Sequence, residues 1–187
     1  LLFDSECTVT EKIDGANTSI NKINNKIELY RKLSAIDHSH LQFSFFQDRW
    51  YWENENKLKR IPNNMILYGE LMYCVHTIKY DKLPDWWLAF AGYDAAKEKY
   101  IAWEDLYSIC EKADLATVPL LYNGKITKKM LEKLMPKKSK FGAIAEGMTA
   151  FNYKTQTFGK YVKAEFVKAI EDSPFWRDKK VELNKVV

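Results

Sequence analysis

The stretch from Thr8 to Ile20, TVTEKIDGANTSI, sets a lysine in a run that alternates apolar and polar residues. It then turns sharply through Asp14-Gly15 and places an asparagine, Asn17. Lys12 reads either as a solvated strand residue or as a nucleophile held beside a turn. Two acids sit where strands should be apolar: Glu70 in ILYGELMY and Glu146 in AIAEGMTAF. Each touches a glycine, and a glycine beside a strand acid marks close approach by a ligand or another chain. Either acid alone also reads as a strand end facing water. Taken together, one lysine and two carboxylates suit nucleotidyl transfer. A lysine amine, once deprotonated and aligned, attacks phosphorus. Lysine shifts its pKa readily when buried, which arginine does not. Carboxylates supply oxygen ligands to Mg²⁺, and the metal neutralises charge on the leaving pyrophosphate. Further cations are available in Arg31, Lys160 and Lys163, and Tyr93 offers a flat ring for a base.

These residues need a scaffold of strands. CTVTEKI alternates and reads as a strand. TSINKI and KIELYRKL flank Asn-Asn and read as a hairpin. Over 43–59 the aromatics Phe45, Phe46, Trp50 and Trp52 share a helical stripe with Arg49, and Pro62 lies beyond the end. That spacing predicts a helix with Trp50 in the core. MILYGELMY and WWLAFAGYDA read as central strands. AWEDLYSICEKA reads as an amphipathic helix, and TVPLLYNGKI as a strand or extended segment. TKKMLEKLMP reads as a short helix with Thr127 as N-cap. AIAEGMTAFNY and GKYVKAEF read as two strands joined by a polar turn, and EDSPFWRDKKVELNKVV as a strand or helix remnant. The sum is an α+β domain of antiparallel sheets with helices packed outside.

At 187 residues the chain fits one domain, and a 47% hydrophobic composition is enough for a real core. A net charge of +4 and a pI near 8.8 suit a nucleic-acid partner without requiring one. Cys7, Cys74 and Cys110 form no C-x-x-C pair, which indicates a reducing, intracellular (cytoplasmic) compartment. His38, His40 and His76 make a poor zinc set and read as surface histidines. No apolar run approaches membrane-spanning length, so no membrane partner is expected. The lysines of MPKKSKFG, Lys137, Lys138 and Lys140, read either as a phosphate contact or as a solvated loop.

Glu11-Lys12-Ile13-Asp14-Gly15 resembles the K-x-D-G nucleophile motif of the covalent nucleotidyltransferases: ATP-dependent DNA ligases, RNA ligases and capping enzymes. EKIDGAN as a whole is most similar to RNA ligases of the bacteriophage nick-sealing type. The remaining motifs follow in family order. RKLSAI resembles the arginine motif, LYGEL the glutamate motif and AGYDA the aromatic-Asp motif. AEGMTAF resembles the Glu-Gly motif and GKYVKAEF the terminal lysine motif. K-x-D-G by itself is a common pattern, but the likeness runs from about Thr8 to Phe166.

The resemblance implies a nucleotidyltransferase (adenylation) domain of the ligase and capping-enzyme type, filling residues 1–187. It implies an ATP-dependent RNA ligase that joins 3′-OH and 5′-phosphate ends or nicks through lysyl-AMP on Lys12. ATP is the co-substrate and Mg²⁺ or Mn²⁺ the metal. Glu11, Ile13, Asn17, Arg31, Glu70, Tyr93, Lys160 and Lys163 would contact the nucleotide. Glu146 would bind the metal, with Glu70 on it directly or through water. The family lysine motif is K-x-K and this chain has K-Y-V-K, so Lys160 and Lys163 remain alternatives. The base that follows the family Glu-Gly motif is missing, with Lys154 as a substitute. Family members usually add a C-terminal domain, and only about twenty residues follow KYVKAEF. The expectation is therefore a monomer whose C-terminal domain is absent, removed or supplied by a partner, of cellular, viral or organellar origin. A small DNA ligase is the neighbouring alternative, and a non-catalytic nucleic-acid-binding module the alternative of another class.

Overall fold

The computed structural model describes residues 2–31, 34–142, 144–171 and 180–187. Among these residues, ten strands form two antiparallel sheets that face each other across a cleft. Strand β1 (Ser5–Lys12) is interior to a four-stranded sheet with β8 (Leu120–Ile126), β9 (Gly147–Asn152) and β10 (Thr157–Val162), in the order β10-β9-β1-β8. The six-stranded sheet comprises β2 (Ala16–Ile23), β3 (Lys26–Arg31), β4 (Ser34–Ala35), β5 (Met65–Leu71), β6 (Trp87–Asp94) and β7 (Lys99–Tyr100). Its order is β4-β3-β2-β5-β6-β7, so β5 and β6 are interior as expected. The chain crosses between the sheets at Ile13-Asp14-Gly15, directly after Lys12. The β2–β3 hairpin turns through Asn24 and Asn25, both at positive φ (50° and 61°). Asparagine tolerates that conformation better than most residues.

Period-two alternation decides which face of each strand meets the cleft. On β5, Met65, Leu67, Gly69 and Leu71 are buried, while Tyr68 and Glu70 face the cleft. The buried face packs on a helical segment made of α1 (Leu41–Phe45), a π-helical turn (Phe46–Trp50) and α2 (Tyr51–Leu58). Trp50 is buried against Trp87, and its indole N–H donates to Asp85 at 2.8 Å. The π turn adds a residue per turn, and Trp52, expected on the same stripe, is 65% exposed. Helix α3 (Trp103–Ala113) covers β6. Helix α4 (Lys128–Leu134) packs behind β8 and β1, and Thr127 caps it by accepting the Met130 N–H.

Three expectations change. KAEF is not strand: β10 stops at Val162, and α5 (Ala164–Glu171) begins two residues later. His76 is not at the surface but buried, 3.3 Å from the Gln42 side chain. The glycines beside the acids are approached by this chain itself. A Cβ on Gly69 would stand 2.3 Å from the Trp87 indole, and one on Gly147 2.0 Å from the Tyr161 carbonyl oxygen. Of the C-terminal remnant, 172–179 lie outside the described residues. The 180–187 segment runs along the 72–83 loop, bridging Cys74 to Leu183 and Leu83 to Val186.

Candidate active site

Lys12 ends β1 on the cleft face. Its Nζ lies 2.6 Å from Glu146 Oε1, with the Lys12 side chain 26% exposed and that of Glu146 5%. Burial raises the Glu146 pKa, and the Lys12 charge opposes the shift. The second carboxylate oxygen, Glu146 Oε2, is buried with no hydrogen-bond partner among the described residues. Glu70 stands across the cleft. It faces open space but is ringed by protein, and desolvation pushes its pKa up to about 8 against the pull of Lys12. The Gly15 N–H donates to Glu70 Oε1 at 3.1 Å.

The turn after Lys12 is held from below. Asp14 Oδ2 accepts the N–H groups of Thr77 (2.7 Å) and Ile78 (2.8 Å), and the Asp14 N–H donates to the Tyr80 hydroxyl at 3.0 Å. Asp14 therefore fixes the backbone beside Lys12. Gly15 has no room for a side chain: a Cβ would lie 2.7 Å from the Leu71 carbonyl oxygen.

The cleft holds about 700 Å³. Its four-stranded floor is built in rungs, read from the strand register. Lys12, Gly147 and Val162 share one rung across β1, β9 and β10, Thr10, Thr149 and Lys160 another, and Thr8, Phe151 and Phe158 a third. The hydroxyls of Thr10 and Thr149 bond at 2.8 Å. Four residue steps of strand lead from Lys12 to Thr8, about 13 Å, which is the length of a mononucleotide. The far end is closed by aromatic rings, with Tyr100 edge-on to Phe151 at 5.4 Å.

The expected site residues divide into two groups. Lys12, Ile13, Asn17, Glu70 and Lys160 line the cleft, and Glu146 grips Lys12 from beneath. Asn17 stands opposite Glu70 in the β2–β5 register. Glu11 also borders the cleft, but its buried carboxylate faces the other way and accepts the Lys140 N–H at 3.1 Å. Burial raises its pKa, while Ser139 and Lys140 oppose the shift. Arg31 is not among the lining residues; it pairs with Asp37 at 2.9 Å and lies over the Phe43 ring. Lys163 is likewise outside the cleft, with Nζ 3.2 Å from the Lys137 carbonyl oxygen. Of the two lysines, Lys160 is therefore the one in the cleft. Lys154 is also not brought to it.

Tyr93 stands outside as well, edge-on to Tyr100. Phe90 and Tyr100 take the cleft in its place. A bulge brings Phe90 in, while Tyr93, opposite Ile66, keeps the sheet face of Tyr68 and packs on Tyr100 farther along the strand. Tyr68 pairs with Ala91 and Gly69 with Ala89, leaving Phe90 as the extra residue turned into the cleft. The sequence carried no sign of the bulge, or of the Thr10–Thr149 pair across 139 residues.

Among the described residues, no group of three His, Cys, Asp or Glu side chains could hold a metal unaided. The unpartnered Glu146 oxygen and the desolvated Glu70 carboxyl do fit a cation that arrives with oxygen ligands of its own, as on a triphosphate.

A buried-carboxylate lysine at the end of a strand, in a mononucleotide-length cleft between two antiparallel sheets, defines a nucleotidyltransferase-type domain. The family model for RNA ligase matches residues 5–162, and the chain belongs to that family. The fold is also that of solved Naegleria gruberi RNA ligase structures. An apo mutant superposes with TM-score 0.72 at 15% identity, covering 92% of this chain and 53% of that one. A lysine mutant with ATP and Mn gives 0.73 at 16%, covering 92% and 54%. The structure with PPi gives 0.71 at 17%, covering 91% and 53%. The chain thus spans about half the length of these relatives. No curated protein matches the sequence.

Proposed function

We propose that the chain is the adenylation domain of an ATP-dependent RNA ligase, with Lys12 as its nucleophile. The observation that carries this is the Lys12–Glu146 pair at one end of the mononucleotide-length cleft. Lys12 Nζ forms a bond to the α-phosphorus of ATP, the bond to pyrophosphate breaks, and Glu146 Oε1 is placed to hold the amine proton. Lys160, one rung from Lys12, offsets phosphate charge. Phe90 and Tyr100 give the base its apolar walls. Glu146 and Glu70 would hold Mg²⁺ or Mn²⁺, which supplies neutralisation of the leaving pyrophosphate. AMP then passes to an RNA 5′-phosphate, and a 3′-OH attacks that phosphate and releases AMP. EKIDGAN supports placing the chain with the bacteriophage nick-sealing type. Residues 1–187 act as one domain in this reading.

The test is incubation with ATP labelled at the α-phosphorus and Mg²⁺, after pyrophosphate treatment to strip bound AMP. Label that survives denaturation on wild type but not on Lys12→Ala supports the reading. Label from GTP alone moves the domain to capping chemistry. No label from either nucleotide on folded protein sinks it.

A further inference from the structure

The lysines after α4 have no part in this chemistry. Residues 128–140 hold six lysines (128, 129, 133, 137, 138 and 140) against one acid, Glu132. Such a run is ordinarily a solvated face, but three features set this one apart. The first is where the loop is fastened. The Lys140 N–H donates to the carboxylate of Glu11, which precedes the nucleophile. Lys163 donates from Nζ to the Lys137 carbonyl and from its backbone N–H to the carbonyl of Glu146, which grips the nucleophile. Lys137 is thus two contacts from Glu146 and three from Lys12.

The second feature is uncompensated charge. Lys137, Lys138 and Lys140 are exposed, and none of the six has an ion pair among the described residues. Lys26, Lys57, Lys59, Lys79 and Lys97 are paired with acids, whereas Lys99 and Lys112 are unpaired among the described residues like these six, so what distinguishes 128–140 is the crowding of six unpaired lysines into one segment. The third is rigidity. Ser139 and Phe141 are buried, and the Phe141 carbonyl accepts from Asp81 and Lys82. The lysines therefore project from a fixed backbone tied to β1 at Glu11, on the face turned away from the cleft, which lowers the ordering cost of binding a polyanion.

We propose that the 137–140 loop and Lys163 form a phosphate-binding rim for the RNA strand whose 5′-phosphate takes AMP from Lys12. This rests on the function proposed above. The ligand is a run of phosphodiesters, and the other phosphate source to separate from it is the triphosphate of ATP.

The test compares Lys137→Gln/Lys138→Gln/Lys140→Gln with Arg60→Gln/Lys99→Gln/Lys112→Gln, which removes equal charge from exposed sites elsewhere. Binding of a short 5′-phosphorylated oligouridylate is followed by anisotropy across a salt series, without ATP. Each single-strand contact contributes about 0.7 to the slope of log affinity against log salt, so the loop variant should lose about 2 units. Its affinity at low salt should fall roughly ten- to a hundredfold. Equal losses in both variants would reduce the effect to net charge and overturn the proposal. So would unchanged RNA affinity with a higher ATP requirement for labelling, which would assign the rim to the triphosphate. If wild type takes no label from ATP, the nucleotide chemistry fails, and the ATP-free comparison still decides the rim.

Discussion

Replacing Asn184 by alanine tests how Lys12, the proposed nucleophile, is held in place. Asn184 is buried, far from Lys12 in sequence, and its amide makes three hydrogen bonds. Oδ1 accepts the Tyr80 N–H at 2.7 Å, and Nδ2 donates to the carbonyls of Met72 (2.7 Å) and Cys74 (3.2 Å). Alanine leaves one amide and two carbonyls of the 72–80 loop unsatisfied. Each such group costs about 1–3 kcal/mol, and water entering the vacated space offsets part of the sum, leaving roughly 4 kcal/mol. For a domain of this size each kcal/mol lowers Tm by about 2–4 °C, so the melting point should drop by roughly 10 °C. A native stability of about 5–15 kcal/mol keeps most molecules folded at room temperature.

The same loop holds the turn after Lys12, through Thr77 and Ile78 on Asp14 Oδ2 and through the Tyr80 hydroxyl on the Asp14 N–H. A displacement of about 1 Å at a reacting group costs up to roughly a hundredfold in rate. The assay is single-turnover labelling from ATP, with amplitude and rate constant read separately beside a thermal melt. A residue that only supports the fold lowers the amplitude. A positioning residue lowers the rate constant of molecules that remain folded. The expected outcome is a rate constant reduced at least roughly tenfold. Tyr80→Phe, which deletes only the hydroxyl link, should reproduce most of that loss with a smaller change in Tm. Wild-type rate constants in both variants would refute the coupling, and an Asn184→Ala melt within about 2 °C of wild type would refute the hydrogen-bond reckoning.

Three further outcomes follow from the same geometry. Gly147→Ala puts a Cβ 2.0 Å from the Tyr161 carbonyl oxygen, so the β9–β10 rung must open and urea denaturation should show a loss of about 3 kcal/mol or more. Burial pushes the Cys74 thiol up to about 11 and the Cys110 thiol up to about 12, and Cys7 is buried too. A thiol reagent at mildly alkaline pH should therefore react with all three cysteines only after unfolding; fast modification of the native protein would contradict the packing. Glu70 has a folded pKa near 8 against an ordinary 4.5. It ionises in the unfolded chain first, so its contribution to stability falls as pH rises from about 4.5 to 8. Glu70→Gln should melt progressively higher than wild type across that window, and parallel melting curves would refute the shift.

Much of the site was legible in the chain because it is local. Alternation over CTVTEKI put Lys12 at a strand end, and Asp14-Gly15 marked the turn. Glu70 and Glu146 stood out as acids within apolar runs, since a strand rarely carries a charge without a partner. The Asn24-Asn25 hairpin and the Thr127 cap were readable from residue chemistry alone. Where the local pattern changes period, reading stopped short. The π turn moved Trp52 off its stripe, and the bulge turned Phe90 into the cleft.

The remaining decisions are long-range. Whether Lys160 or Lys163 shares the cleft depends on the β9–β10 register, which sets Lys160 beside Thr149 and ends the strand before Lys163. Arg31 carries a family motif in sequence, but the structure sends its guanidinium to Asp37. Asp14 looked like turn chemistry and proved to be the anchor of a loop more than sixty residues away. The sequence by itself determined which residue types and local geometries were available. Only the closure of two sheets on one another decided which side chains share a space, because that depends on strand order and register, and one-residue shifts in register exchange the faces of a strand.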